Sequence, residues 1–334
     1  MKVWSTERAN EWYAKNAWQV GCNYLPATAV NSTEMWQEST FDEPTIRREL
    51  AWASEFGYNS VRVFLPFIVW EKEREGFLAT FETFLSIAAE NRLTVLPILF
   101  DDCAFDKGKD PFYGKQEPPI PGKHNGRWTP SPGFRVADDP TKQSLLREYV
   151  HAIIGTHRND ERIFAWDLYN EPGGTSRRNL CLPLLVNVFR WARECEPVQP
   201  LTSGPWRNKE FDSTYYAMLE LSDVISCHLY RPLEQTKAYI ERLAAYNKPI
   251  FVTEWLFREE NNTFESILPY FAENKISCWN WGLVVGKTQT NLWYKPTDPP
   301  SEIWQHDVLY PNGEPYCAEE SAILKKLRSE WANK

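Results

Sequence analysis

Two glutamates stand where a paired acid and nucleophile would have to stand. Glu171 follows the run Trp166-Asp167-Leu168-Tyr169-Asn170 and precedes Pro172, so it closes a strand-like segment at a residue unsuited to continue it. Glu254 ends Ile250-Phe251-Val252-Thr253, and alternation gives it the face of Ile250 and Val252 while Thr253 and Trp255 point the other way. Two carboxyl groups across a cleft do what one cannot. One, kept protonated, helps an oxygen leave; the other, ionised, attacks or stabilises carbon. A single glutamate at a strand end is more often a rim charge, so the pair carries the signal.

Other residue types sit near such ends. Arg62 is a charge inside the apolar run Asn59 to Leu65, costly there unless it is paired. His228 and Tyr230 alternate onto one face after Val224, and Trp279 and Trp281 share a face of the run Ile276 to Trp281. Asp101 and Asp102 follow Thr94 to Phe100. Asn23 sits in Gly21-Cys22-Asn23-Tyr24 at the end of the first run, where contact with a ligand and capping of a loop are equally open.

The elements that must position these groups recur regularly. Short runs at 18–25, 59–65, 94–100, 163–169, 200–203, 224–229, 249–253 and 276–281 alternate with amphipathic stretches, the pattern of βα units on a parallel sheet. Ile46, Leu50, Ala53 and Phe56, opened by Pro44 and stopped by Gly57, have helical spacing; Leu184, Val188, Trp191 and Ala192 repeat it, as do Ile323, Leu324, Leu327 and Trp331. Eight such units without a composition break predict an α/β fold of the (β/α)8 TIM-barrel type, with residues 1–334 as a single catalytic domain. The alternative, an open doubly wound sheet, lacks a GxGxxG or P-loop after an early strand. Connections at about 103–138 and 284–317 are too long for turns and rich in proline and rings. They are expected over the mouth, where Trp128 or His124 would reach a bound ligand.

These motifs in this order resemble clan A glycoside hydrolases, close to the family 5 cellulase-like group, over essentially the whole barrel. Asn170-Glu171-Pro172 after Trp166-Asp167-Leu168 is the specific element of the likeness, with Thr253-Glu254-Trp255 in support. The resemblance implies a retaining β-glycosidase. It makes Glu171 the acid/base, Glu254 the nucleophile and Asn170 the partner of a sugar 2-hydroxyl. It gives Arg62 the task of keeping the nucleophile ionised, lets Tyr230 of His228-x-Tyr230 bond that nucleophile, and makes Trp281 the floor of the sugar subsite. Asp101 and Asp102 depart from the likeness, since many family 5 members carry a histidine there. Asp102 and Asn23 are counted among supporting residues. A transglycosylase using the same glutamates and a non-catalytic carbohydrate-binding barrel are the competing readings.

Composition narrows the field further. With 37 Lys and Arg against 45 Asp and Glu, the net charge of −8 opposes phosphate backbones and anionic lipid, so neither nucleic acid nor membrane is expected as a partner. The 7 cysteines are scattered without CxxC or Cys/His spacing, so no disulfide framework, zinc site or other metal is expected, and no organic cofactor. No apolar h-region follows Met1, which suggests a cytoplasmic protein acting on carbohydrate. Most of the 16 tryptophans are expected in the core, and a subset on loops would offer flat faces for stacking on sugars.

Overall fold

The computed structural model describes residues 2–105, 108–205, 212–295 and 301–332. Eight strands form the sheet: β1 Val20–Asn23, β2 Ser60–Phe64, β3 Thr94–Asp101, β4 Trp166–Asn170, β5 Leu201–Thr202, β6 Ile225–His228, β7 Ile250–Trp255 and β8 Ser277–Trp281. Their order is β5-β4-β3-β2-β1-β8-β7-β6, and every ladder is parallel. This is the expected (β/α)8 barrel, nearly closed. Between β5 and β6 side chains stitch the seam: Thr202 Oγ1 donates to Val224 O at 2.8 Å, and Asp223 Oδ2 accepts from Leu201 N at 2.9 Å.

The runs read as strands are buried on both faces because helices cover the outside, which is why they read as near-continuous apolar segments. Helices follow at Glu43–Phe56, Arg74–Glu90, Gln143–Val150, Leu182–Glu194, Ser213–Leu221, Leu233–Ala244, Phe264–Glu273 and Ala318–Ala332. The first shows why its ends fall where they do. Asp42 accepts from Thr45 N as the N-cap, Pro44 lies in the first turn, and Gly57, at φ 119°, takes the left-handed C-cap that a side chain disfavours.

A helix that precedes the first strand closes one end of the barrel. This helix, Thr6–Lys15, is capped by Ser5 and lays Tyr13 across the N-terminal end. There Tyr13 joins Leu96, Phe164, Ala165, Val224, Phe251 and Trp279 in an apolar cluster, while its hydroxyl meets Ser277 Oγ at 2.7 Å. Full burial of rings of this size contributes about 1.5–3 kcal/mol each, so the floor is a stability element.

The two long connections meet over the opposite end, as expected. Asn125 N donates to Thr288 O at 2.8 Å, Gly122 N to Gln289 Oε1 at 2.8 Å, and His124 Nδ1 lies 2.7 Å from Leu292 O. The first connection is tied back to β3 by paired bonds between Asp101 and Ser131, at 2.7 and 2.9 Å. Residues 106–107 and 296–300 of these connections lie outside the described residues.

Candidate active site

Arg62, at the centre of β2 and fully buried, organises the mouth. Its guanidinium donates to Asp167 Oδ2 at 2.8 Å, Asn170 Oδ1 at 2.6 Å, Glu254 Oε1 at 3.1 Å and Asn23 Oδ1. A buried arginine is tolerable only with its charge and donors engaged, and two carboxylates and two amides do this. Asp167, three residues before the end of β4 and facing Arg62, is the partner that sequence reading missed. Its signal was present: an acid inside an apolar strand needs a cation as much as Arg62 needs an anion.

Glu254 is held at both oxygens. Oε1 faces Arg62, and Oε2 accepts from Tyr230 Oη at 2.8 Å. A register shift between Cys227 and His228 sets His228 opposite Glu254, so the ring reaches both carboxylates: Nδ1 lies 2.8 Å from Glu171 Oε1 and 3.3 Å from Glu254 Oε2. The parity reading of His228 and Tyr230 foresaw a shared face; it did not foresee that the histidine bridges the two acids.

Glu171 adopts φ 47°, the left-handed region that costs a non-glycine residue about 1–3 kcal/mol unless its surroundings impose it. They do here. Its N–H donates to Gly204 O at 2.8 Å and its carbonyl accepts from Gly174 N at 2.9 Å, turning the carboxyl inward directly after the strand. A Cβ on Gly204 would stand 2.9 Å from His228 Nε2, so the glycine is required where that backbone passes the histidine.

Electrostatics separate the two acids. Burial raises the Glu171 carboxyl well above the carboxylate range, and the neighbouring charges of Glu254 and Asp101 push it further. Burial raises Glu254 as well, but Arg62 and the Tyr230 hydrogen bond pull it back, so Glu171 is the one that keeps its proton to higher pH. His228 is held neutral by burial and by the Arg62 charge.

Asp101 and Asp102 part company. Asp101 accepts from Asn170 Nδ2 at 2.9 Å and from Trp128 Nε1 at 2.8 Å, fixing the Asn170 amide so that its oxygen faces Arg62. Burial pushes the Asp101 carboxyl up to about 7. Asp102 is engaged instead by Tyr169 Oη at 2.7 Å, Gly173 N at 2.8 Å and Arg177, so it braces the turn beyond Glu171 and does not join the cluster around the two acids. This corrects its expected place: of the two aspartates, Asp101 has the parity to point inward. His124 is also displaced from expectation. It packs against Phe105 and His306 and joins the two connections, while Trp128 stacks edge-on against Phe64 and Trp281 beside the site.

Trp281, Trp128, Phe64 and Asn23 line a narrow hollow of about 20 Å³, room for a water molecule. Asn23 is pinned rather than loose, its Nδ2 donating to Thr253 O at 2.9 Å. Trp279, one turn of the pleat below Trp281, is core, with Nε1 bonded to Ser60 Oγ at 3.0 Å.

Donor atoms of Glu171, His228 and Glu254 lie within 4.8 Å of one another, as do those of Glu82, His157 and Asp160 near the surface. Either spacing admits a cation. In the second group Arg162 already supplies the positive charge, reaching Asp160 at 2.6 Å and Glu82 at 2.6 Å. In the first, Tyr230, Arg62 and His228 occupy the carboxylate oxygens, an arrangement suited to proton control.

Comparison with known proteins bears on the fold and on part of the chain. Residues 188–276 match the family model described as glycosyl hydrolase catalytic core. A search among curated proteins finds no match. Among solved structures, the exo-beta-1,4-mannosidase Op5Man5 from Opitutaceae bacterium strain TAV5 is similar at TM-score 0.64 and 18% identity, covering 94% of this chain and 60% of that one; this chain thus spans less than two thirds of its length. The endo-1,4-beta-mannanase from Rhizomucor miehei is similar at TM-score 0.62 and 12% identity, covering 96% of each chain. A glycoside hydrolase family 5 mannosidase from the same organism is similar at TM-score 0.59 and 14% identity, covering 94% of each. The solved structures share the (β/α)8 barrel, and the match to a glycosyl hydrolase catalytic core falls on residues 188–276 of it. Among the described residues, no helix is long and apolar enough to cross a membrane.

Proposed function

We propose that this chain is a retaining β-glycosidase that works by double displacement, with Glu254 as nucleophile, Glu171 as acid/base and β-mannosides as its first candidate substrates. One observation carries the reading: the two acids face each other with oxygens within 4.8 Å, one under Arg62 and Tyr230, the other buried and high in pKa. That spacing suits a retaining pair, at about 5–5.5 Å between carboxyl groups, better than an inverting pair, whose acids stand roughly 6.5–9.5 Å apart. The mannoside preference rests on the names of the similar structures alone.

In the first step Glu254 attacks the anomeric carbon while Glu171 passes its proton to the departing oxygen. The charge lost from Glu254 as the covalent bond forms relieves its repulsion of Glu171, whose pKa then falls, so the carboxylate left behind is one able to take a proton from water in the second step. Asn170, clamped by Asp101 and Arg62, is set to meet the 2-hydroxyl of the bound sugar, and Trp281 to lie beneath its apolar face. The test is proton NMR of the first product formed from an aryl β-mannoside. The β-anomer appearing before mutarotation supports the reading; the α-anomer, or no turnover across aryl β-glycosides, contradicts it.

A further inference from the structure

The narrow hollow that borders Trp281 is polar, enclosed by separate stretches of chain, and the size of a solvent molecule. Its space of about 20 Å³ exceeds the roughly 10–15 Å³ that one water needs. The end of β1 contributes Asn23, the first long connection Asn125 and Trp128, and the end of β8 with the second connection Trp281, Thr290 and Asp307. Cavities stay dry where their walls are apolar, and these walls are not.

The polar groups leave one need unmet. Asn125, 2% exposed, carries a buried Oδ1 with no hydrogen-bond partner among the described residues, and it lines the hollow. Asp307, 1% exposed, accepts from Thr290 Oγ1 at 2.9 Å, so the single hydroxyl hydrogen of Thr290 is engaged there and is not free for Asn125. A water has two hydrogens to give, one for each acceptor. Being acceptor as well as donor, it meets the Asn125 amide whichever way that amide is turned. We infer that the hollow binds one water molecule, which donates to Asn125 Oδ1 and to the Asp307 carboxyl, and that this water is a positioning element for the Trp281 ring.

The positioning half rests on the glycosidase reading above; the water itself does not. Phe64 and Trp128 meet the Trp281 ring edge-on, at centroid distances of 5.7 and 5.6 Å. The hollow borders the same ring, so what fills it limits how far the ring can shift. Asp307 is also set against the backbone directly after that ring. Gly282 follows Trp281 at φ 79°, and a Cβ there would stand 2.3 Å from Asp307 Oδ1, so only glycine lets the carboxyl lie at the strand end. A water held between Asp307 and Asn125 would tie both long connections to the end of β8, beside the ring proposed as the floor of the sugar subsite.

Two measurements on the full chain test the two halves. In a crystal structure that resolves ordered water, one density peak at about 2.5–3.2 Å from both Asn125 Oδ1 and a carboxyl oxygen of Asp307 supports the water site. An unfilled hollow, a peak that touches only one of the two, or a peak ringed by six or more oxygens at about 2.3–2.6 Å, which marks a cation, overturns it. For the positioning half, Asn125→Gly keeps the left-handed backbone, φ 48°, and removes the amide. Aryl β-glycosides of mannose, glucose, galactose and xylose first show which sugar the unaltered chain turns over; silence toward all of them sinks the glycosidase reading and leaves the crystallographic result standing. With the active sugar, at a temperature where circular dichroism shows both proteins folded, Asn125→Gly should raise KM roughly tenfold with a smaller change in kcat. Thr290→Val, which keeps the volume and removes the hydroxyl that orients Asp307, should move KM in the same direction and decides the matter if Asn125→Gly fails to fold. An unchanged KM in the folded variants, or a loss confined to kcat, overturns the positioning role.

Discussion

The two ends of the barrel are built from the same strands and solve opposite problems. At the N-terminal floor, Tyr13, Phe164, Phe251 and Trp279 exclude water and satisfy their few polar atoms locally, as Trp279 does with Ser60. At the C-terminal mouth, Arg62, Asp167, Asn170, Glu171, His228 and Glu254 are all buried, and each is tolerable only because its neighbours answer it. Trp279 and Trp281 make the contrast within one strand and on one face. Two residues apart, one is filler and the other borders the hollow. Strand direction thus divides labour: the floor stabilises, and the mouth holds charge and strain, including the left-handed backbone of Glu171, for chemistry.

The contrast is sharpest where activity and stability should separate. Glu254→Ala is expected to lower turnover roughly 10⁴-fold for every leaving group, with azide restoring a product of inverted configuration, as in loss of a covalent nucleophile. Its melting temperature should move less than that of a floor variant, because Asp167, Asn170 and Asn23 still engage the Arg62 guanidinium when Glu254 is gone. Steady-state kinetics and thermal melting on the same sample check both halves. Glu171→Ala is expected to lose about 10³-fold with poor leaving groups, yet keep measurable glycosylation of activated aryl glycosides, and azide should then give a glycosyl azide of retained configuration. A Brønsted series over leaving groups reads this directly.

At the other end, Trp279→Ala should cost about 3–5 kcal/mol of stability by leaving a cavity among Phe164, Phe251 and Tyr13, measured by denaturant unfolding. Trp281→Ala should cost less stability and show instead in KM. Equal destabilisation by both would break the division between the ends.

The smallest expected effect is a shift in pH. The proposed mechanism requires Glu254 ionised and Glu171 protonated, so the rate should rise through the lower apparent pKa of the pair and fall through the higher one. Tyr230 stabilises the ionised form of Glu254, and Tyr230→Phe removes that bond, so the Glu254 pKa rises. The acid limb of kcat/KM should move to higher pH by about one unit while the alkaline limb moves less. A shift of the acid limb downward would contradict the arrangement.

Sequence reading reached the strands and the two glutamates because both obey local rules: alternation sets parity, and proline or a polar residue marks the strand end. Glu171 and Glu254 were legible for that reason, as were Arg62, Tyr230 and Trp281. What stayed hidden depends on three-dimensional neighbours. Asp102 and Asp101 are adjacent in sequence and only pairing of β3 with β4 tells which one meets Asn170. The role of His124 follows from Leu292 and His306, far away along the chain. The helix Thr6–Lys15 precedes the first strand and so falls outside the βα repetition, and its packing on the floor through Trp12 and Tyr13 depends on residues distant in sequence.

The central claim, that Glu254 forms a covalent bond to the sugar, is tested most directly by trapping. Incubation with a 2-deoxy-2-fluoro glycosyl fluoride of the sugar that is turned over slows the second step, and peptide mass mapping then locates the adduct. The account predicts one sugar per chain, attached at Glu254 in the peptide that contains Ile250–Trp255. An adduct at Glu171 or elsewhere, or inactivation that leaves the chain unmodified, would contradict it.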